Sequence, residues 1–299
     1  MKKNLDNIFS EEHKKNIDEL GYCVFEPSEI LLDWLETDID QLHLLVDKLT
    51  KDEGEKAGFE GREEHYKPGK KFEPIANRLG NLPNKSRSFF KFCTYPPNLK
   101  CAEYLIKDEI CVSSSNFREP LKNNMQQRLH IDWMPRKNQN DRFESIIAML
   151  YLDDSNSLNG AIRLVPKSHR LTGFPDQYCN PFLTHQDEVI LPAKKGSILL
   201  LNSNLWHRGG ANFDGSRRRI INVSYRQKNL PQGLNQKKYL NKKIIESMTY
   251  EEKKLFKVLE SESGQIKKIV GPGDTYRQWL LENPDRNFSK SKNITIKHI

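Results

Sequence analysis

His130 and Asp132 stand two residues apart in the run Arg128-Leu129-His130-Ile131-Asp132-Trp133, and a second histidine, His207, ends the apolar run that begins at Gly196. On a β-strand side chains alternate between faces, so a His-x-Asp pair projects to one side. A distant imidazole brought to that side would complete two imidazoles and one carboxylate on one face of a metal. This set leaves coordination positions open and is the ligand pattern of non-haem Fe(II) oxygenases. The bland alternative is a buried polar network with no metal. One His-x-Asp alone says little, and the context supplies the weight. "SIIAMLYLDD" (145–154) and "GSILLLNSNLWH" (196–207) both read as strands bounded by turn residues. Gly209-Gly210 follow the distal histidine as a turn, and Arg217, Arg218 and Arg219 open a further strand-like run, "RRIINVSYR".

The elements around these residues predict a mainly β fold with flanking helices. A helix over residues 10–20 is capped by Ser10 and stopped by Gly21, and a short strand follows at 21–27. From Ser28 to Leu49 apolar residues recur at helical spacing, which predicts one long helix. Residues 51–85 carry many charges, glycines and prolines and read as a long loop, a candidate lid. The aromatic, partly alternating run 85–96 and a short helix to about Lys107 come next. Strands are then expected at 109–120, through 121–133, and at 145–152, 161–170, 188–202 and 217–227. The excursion at 171–187 is a second candidate for gating. Strands and turns at this spacing suggest two facing sheets, a jelly roll, with positions 130, 132 and 207 at its mouth. The tail, 229–299, reads as basic and helical, with a capping box at Thr249 to Glu252 and a second helix at 274–284. One domain over 1–299 is expected: N-terminal helices and loop to 84, a core over 85–228, and a helical extension.

Composition narrows the class. No apolar run in the 299 residues approaches the length of a membrane span, and the lysine-bearing N-terminus has no apolar signal core. A cytoplasmic location is the expectation. Cys23, Cys93, Cys101, Cys111 and Cys179 are odd in number and scattered, which fits reduced thiols rather than a disulfide frame or zinc site. The net charge of +8 suits an anionic partner, yet the basic residues are dispersed and no nucleic-acid module signature is present.

With ligands and strands placed, the chain resembles the phytanoyl-CoA dioxygenase-like family of Fe(II)/2-oxoglutarate oxygenases. The residues that carry the resemblance are "LHIDW" (129–133), "LYLDDSNSLNGAIRLVPKSHR" (150–170) and "KGSILLLNSNLWHRGGANFDGSRRR" (195–219), with "LGYCVF…EIL" (20–31) at the start. The resemblance implies a double-stranded β-helix, or cupin-like jelly roll, with Fe(II) held by His130, Asp132 and His207. It implies 2-oxoglutarate as co-substrate and O2 as oxidant, with succinate and CO2 released as a C–H bond of a small molecule is oxidised. The far carboxylate of 2-oxoglutarate needs a fixed cation, and a bidentate arginine fits best. Arg218, eleven residues after His207, has the family's spacing; Arg217 and Arg219 would point to the other face unless a bulge swaps them. Gln126 and Arg128 share the strand parity of the first two ligands, so Gln126 is a candidate for the co-substrate and Arg128 for the substrate. Trp133 and Trp206 are expected to pack, and His169 to be structural. Lys167 stands where the family's Pro-Gly-Ser-His turn has glycine. Ile131 fills the middle of the His-x-Asp pair, where many relatives are polar. Asp132 disfavours halogenation, since halogenating relatives have a small residue there. The competing readings are a catalytically silent jelly-roll binding protein and an oxygenase that works on nucleic acid through its basic C-terminal helices.

Overall fold

The structure is a computed structural model that describes residues 8–30, 32–60, 63–259 and 272–286. Its first helix, α1 (Glu11–Glu19), begins where the Ser10 hydroxyl accepts the His13 backbone N–H. Gly21, at φ +89°, turns the chain into β1 (Tyr22–Phe25), and a Cβ there would meet His169 Nδ1 at 2.6 Å. Only glycine suits that corner.

The long helix predicted over 28–49 is broken. A 3-10 turn at Pro27–Glu29 leads to the single turn α2 (Leu32–Leu35), and α3 runs over Ile39–Glu53. Glu36 adopts φ +55°, and the Asp38 carboxylate accepts the Gln41 N–H at 2.7 Å to start α3 afresh. Local capping outweighs apolar periodicity here. The 51–85 loop is not wholly irregular, since it supplies β2 (Ala76–Leu79). The aromatic run at 85–96 is a helix, α4 (Arg87–Cys93), because Phe89, Phe90, Phe92 and Cys93 are buried at helical rather than alternating spacing. Next come α5 (Pro96–Ile106), β3 (Ile110–Pro120), β4 (Ser145–Tyr151), β5 (Ile162–Leu164) and β6 (Val189–Leu191). They are followed by β7 (Ile198–Asn202), β8 (His207–Gly209) and β9 (Ile220–Gln227). The chain continues through α6 (Gln236–Tyr239), α7 (Lys242–Ser247), α8 (Tyr250–Phe256) and α9 (Pro272–Glu282). The capping box of α8 forms as expected between Thr249 and Glu252. The expectation for the last residues falls outside those described.

The strands make a jelly-roll core of two antiparallel sheets. The larger has the order β1-β7-β4-β9-β3-β2 and the smaller β6-β5-β8. β1 and β2 lie before residue 85, so the larger sheet draws on more of the chain than 85–228. Alternation divides it cleanly. Ile146, Ala148, Leu150, Ile198, Leu200, Ile221, Val223 and Tyr225 pack with apolar residues of α3, α4 and α5 in one buried cluster. The opposite face, through Tyr151, Leu199, Leu201 and Ile220, packs with Ile162 and Leu164 of the smaller sheet. Residues 121–133, expected as a ligand strand, are irregular: their one ladder-like contact is an isolated bridge between His130 and His207.

Candidate metal and co-substrate site

His130 and His207 are joined through their backbones, each N–H donating to the other's carbonyl at 3.0 Å. The Asp132 N–H donates to the Ser203 carbonyl at 2.8 Å, which fixes the carboxylate beside the two rings. The ring centroids lie 4.5 Å apart. Asp132 Oδ1 is 3.5 Å from His130 Nε2, and Oδ2 is 3.2 Å from His207 Nε2. One ligand atom from each of the three residues fits within 4.8 Å of the others. Metal–ligand bonds of about 2.1 Å at near-right angles need donor separations of about 3 Å, close to these.

The outer nitrogens set the chemistry of the inner ones. His130 Nδ1 lies 2.9 Å from the Arg128 carbonyl and His207 Nδ1 2.9 Å from the Leu205 carbonyl. A carbonyl can only accept, so each Nδ1 is the N–H donor and each Nε2 of a neutral ring keeps its lone pair for the centre. Burial pushes the Asp132 carboxyl up, but the two imidazoles, His207 foremost, hold it well below the usual carboxylate range. Burial lowers His207, and Asp132 outweighs it and raises the ring. The three groups together favour a positive charge between them, which a divalent ion supplies.

These residues border a cavity of about 370 Å³ between the sheets, lined also by Gln127, Met149, Tyr151, Arg218, Asn222 and Arg226. Arg218 is 3% exposed, and its Nε and Nη2 have no hydrogen-bond partner. Burial pulls its guanidinium down to about 10. Its neighbours are engaged elsewhere: Arg217 bonds to Asp47 at 2.6 and 2.7 Å and to Glu119, and Arg219 to Asp153 at 2.6 and 2.9 Å. Of the three arginines, Arg218 is the one that faces this cavity. A buried guanidinium without a partner is costly, and a carboxylate delivered into the cavity is the group that satisfies it. The Tyr151 hydroxyl, buried in the same wall, also lacks a partner.

Two expected residues lie elsewhere. Gln126 accepts from Arg163 Nη1 at 2.8 Å, and it is Gln127 that lines the cavity, its Oε1 accepting the Gly209 N–H at 2.8 Å. Arg128 stacks over Tyr276 at 3.7 Å and donates to Asp176 at 3.3 Å, also away from the cavity lining. Strand parity fails because this segment is not a strand. The excursion at 171–187 contributes nothing to that lining either. It is pinned instead by Arg208, fully buried, which bonds to Glu188 and to the Pro181 and Leu183 carbonyls. That anchor sits one residue past His207 and steadies it. Trp206 and Trp133 are buried packing residues as expected. Ser168 Oγ accepts the Trp206 N–H at 2.8 Å, so the 166–169 turn also positions the distal histidine.

The sequence matches the phytanoyl-CoA dioxygenase (PhyH) family over residues 17–220. The chain belongs to that family. The match takes in every strand but β9, of which it reaches only the first residue, together with every residue of the His-Asp-His group and Arg218. No curated protein matches the sequence. Among solved structures, the fold is similar to HygX from Streptomyces hygroscopicus with nickel and 2-oxoglutarate bound. The TM-score is 0.57 at 16% identity, covering 75% of this chain and 89% of that one. It is likewise similar to the non-haem α-ketoglutarate-dependent carbocyclase SnoK from nogalamycin biosynthesis, with TM-score 0.55, 18% identity and coverage of 75% and 86%. A third is the epimerase SnoN in complex with Fe3+, α-ketoglutarate and nogalamycin RO, with TM-score 0.54, 16% identity and coverage of 75% and 85%. At these identities the likeness is one of fold. No helix among the described residues is long and apolar enough to cross a membrane.

Proposed function

We propose that this protein is an Fe(II)- and 2-oxoglutarate-dependent oxygenase that acts on a small molecule. The observation that carries the reading is the buried Arg218 guanidinium, partnerless at Nε and Nη2, in the same cavity as His130, Asp132 and His207. A silent binding protein has no need of a desolvated cation beside an intact ligand set. Family membership and the neighbours' bound metals and 2-oxoglutarate support the same assignment.

In this reading His130 and His207 hold Fe(II) through Nε2 and Asp132 through a carboxylate oxygen. Arg218 grips the far carboxylate of 2-oxoglutarate, and Tyr151 adds a donor from the next strand. Bound together, Fe(II), 2-oxoglutarate and O2 supply oxidation of an unactivated C–H bond, with succinate and CO2 released. The protein's share is to orient the two small molecules and to keep water out. The hollow lined by Gly58, Glu60 and Phe72 shares Arg78, Ser114 and Asn116 with the site cavity, so residues 58–60 and 72–80 form the candidate outer wall. Hydroxylation is the default outcome; desaturation and cyclisation need the same residues and are set by the substrate's position.

The test is anaerobic titration with Fe(II) and 2-oxoglutarate, followed by the visible charge-transfer band, and succinate release once O2 is admitted. Wild type is expected to bind both. Arg218→Gln keeps Fe(II) but weakens 2-oxoglutarate by roughly 10–100-fold, the loss of about 1.5–3 kcal/mol from a charge-assisted contact. A wild-type protein that binds neither ligand overturns the proposal.

A further inference from the structure

The cavity carries more positive charge than its metal and co-substrate use. Arg78, Arg118, Arg218 and Arg226 all line it. Glu73 bonds to both Arg78 and Arg118, and those two arginines hold it at about 2 against the burial that raises it. Among the described residues, Asp132 is the one carboxylate in the lining. A divalent metal and a dicarboxylate cancel each other, and among the described residues neither Arg218 nor Arg226 has a carboxylate partner such as Glu73 provides for Arg78 and Arg118.

The excess is arranged along one strand. Residues 220, 222, 224 and 226 all face the cavity, as alternation along β9 requires, and Arg218 faces it from two residues before the strand. Rows run across the sheet from there. Ile220 pairs with Arg118 and Tyr151, Asn222 with Asn116 and Met149, and Ser224 with Ser114 and Ile147. The β3–β9 half of the wall is therefore amide, hydroxyl and guanidinium, whereas the β4 half is largely apolar. Asn222 donates to Asn116 Oδ1 at 3.2 Å, and its own Oδ1 is buried without a partner.

Arg226 ends the row. It is 8% exposed, its guanidinium stacks 4.0 Å over the Trp133 ring, and Nη1 donates to the Pro231 carbonyl at 2.9 Å. Its Nε has no partner, and among the described residues it forms no ion pair. Trp133 follows the ligand Asp132 directly, so Arg226 sits at the metal end of the cavity, while Arg218 sits beside Tyr151. Eight residue steps, six of them along β9, separate the two arginines, roughly 26 Å of contour at the rise of a strand. That is far longer than a five-carbon diacid, so one 2-oxoglutarate cannot satisfy both.

We infer that Arg226, with the Asn116, Asn222, Ser114 and Ser224 wall, binds the primary substrate, and that this substrate is a small polar molecule bearing a carboxylate or a phosphate. The assignment rests on the oxygenase reading above and names its substrate class. The acidic group meets Arg226 over the Trp133 face, the amides and hydroxyls take the substrate's polar body, and its carbon frame lies toward Ile147 and Met149. A neutral hydrocarbon chain would leave those polar groups desolvated and unpaired, which is the stronger ground for rejection.

The full chain, loaded anaerobically with Fe(II) and 2-oxoglutarate, is titrated with glycolate in one arm and inorganic phosphate in the other. The probes used are those two anions, read by their perturbation of the charge-transfer band. One of them is expected to saturate in the millimolar range, and which one does separates a carboxylate from a phosphate substrate. Arg226→Gln raises that Kd at least tenfold and leaves Fe(II) and 2-oxoglutarate within about threefold. Arg226→Lys restores most of the anion affinity, and circular dichroism checks that both variants fold. Three results overturn the assignment: no saturable anion effect in wild type, equal anion affinity in Arg226→Gln, or a matching loss of 2-oxoglutarate affinity in that variant. Failure of wild type to bind Fe(II) and 2-oxoglutarate at all is a separate result, and sinks the oxygenase reading beneath it.

Discussion

Two of the regions that line the cavity are held in opposite ways. β9 is registered on both sides, against β3 and β4, so its inward row is fixed by two continuous ladders. The 126–133 segment has one bridge to His207 and otherwise scattered contacts, among them Gln127 with Gly209, Asp132 with Ser203, Leu129 with the Pro181 carbonyl and Trp133 with Glu144. Arg226 lies on the rigid strand and Arg218 two residues before its start, whereas the looser region carries His130 and Asp132 of the His-Asp-His group. A side chain on a ladder has its direction set by the fold as a whole, whereas one on a pinned loop depends on a few neighbours. Metal binding is expected to complete the ordering of the second region and to leave the first unchanged.

The largest separation between them comes from a pair of substitutions. Asp132→Ala, in the pinned segment, is expected to lower succinate release by more than about 100-fold. Its Tm should stay within about 2 °C of wild type, because the carboxylate packs against little besides the imidazoles. Ile221→Ala, on the outward face of β9, should do the reverse. Ile221 is fully buried among the helices, so the truncation costs about 2–5 kcal/mol and several degrees of Tm, with 2-oxoglutarate affinity unchanged within about threefold. Calorimetry together with ligand titration of both variants checks this. If Ile221→Ala loosens 2-oxoglutarate as well, the ladder is less stiff than its register implies.

The same contrast explains which residues sequence could locate. Alternation holds along β9 and its parity carries back to Arg218, which faces the cavity while Arg217 and Arg219 bond elsewhere. It also pointed to Asn222, Ser224 and Arg226, which share the parity of Arg218 and could have been named from that run alone. Alternation failed at 126–128, where no ladder enforces it, and Gln127 rather than Gln126 faces in. The clustering of His130, Asp132 and His207 was legible despite that, because the His-x-Asp spacing and the strand-ending histidine survive an irregular backbone. The broken helix at 28–49 and the helix at 87–93 were misread for the converse reason: a cap at Asp38 and a four-residue buried face decided them, and neither stands out in a hydropathy pattern.

His169 tests the support beneath the pinned region. Its ring lies over the Gly21 corner and bonds to the Asp18 carbonyl at 3.1 Å, next to the serine that holds Trp206. Burial, outweighing that carbonyl, lowers it from 6.5 to about 4. The folded protein thus keeps the ring neutral where the unfolded chain would protonate it. The contribution is fully present above about pH 6.5 and is lost as pH falls toward 4, on the order of 2–3 kcal/mol. In denaturant melts at pH 7 and pH 4.5, His169→Gln should lose less stability between the two than wild type does. Parallel losses would mean that the ring titrates normally.

The smallest effect expected is at Lys167, at the tip of the same turn. Its backbone is left-handed, φ +71° and ψ −10°, and its N–H donates to the Leu20 carbonyl at 3.0 Å. Lysine in that region costs about 1–2 kcal/mol, whereas glycine adopts it freely but loses more chain entropy on folding, about 0.5–1 kcal/mol. The Lys167 side chain is exposed, so Lys167→Gly gives up no packing. The difference leaves a net stabilisation of about 0.5–1 kcal/mol, visible as a higher urea midpoint at unchanged m-value. Fe(II) affinity should not fall, because the Ser168 hydroxyl that accepts from Trp206 keeps its place. A lower midpoint would show that the turn is held by contacts of the lysine itself, and that the support of His207 does not reduce to backbone geometry.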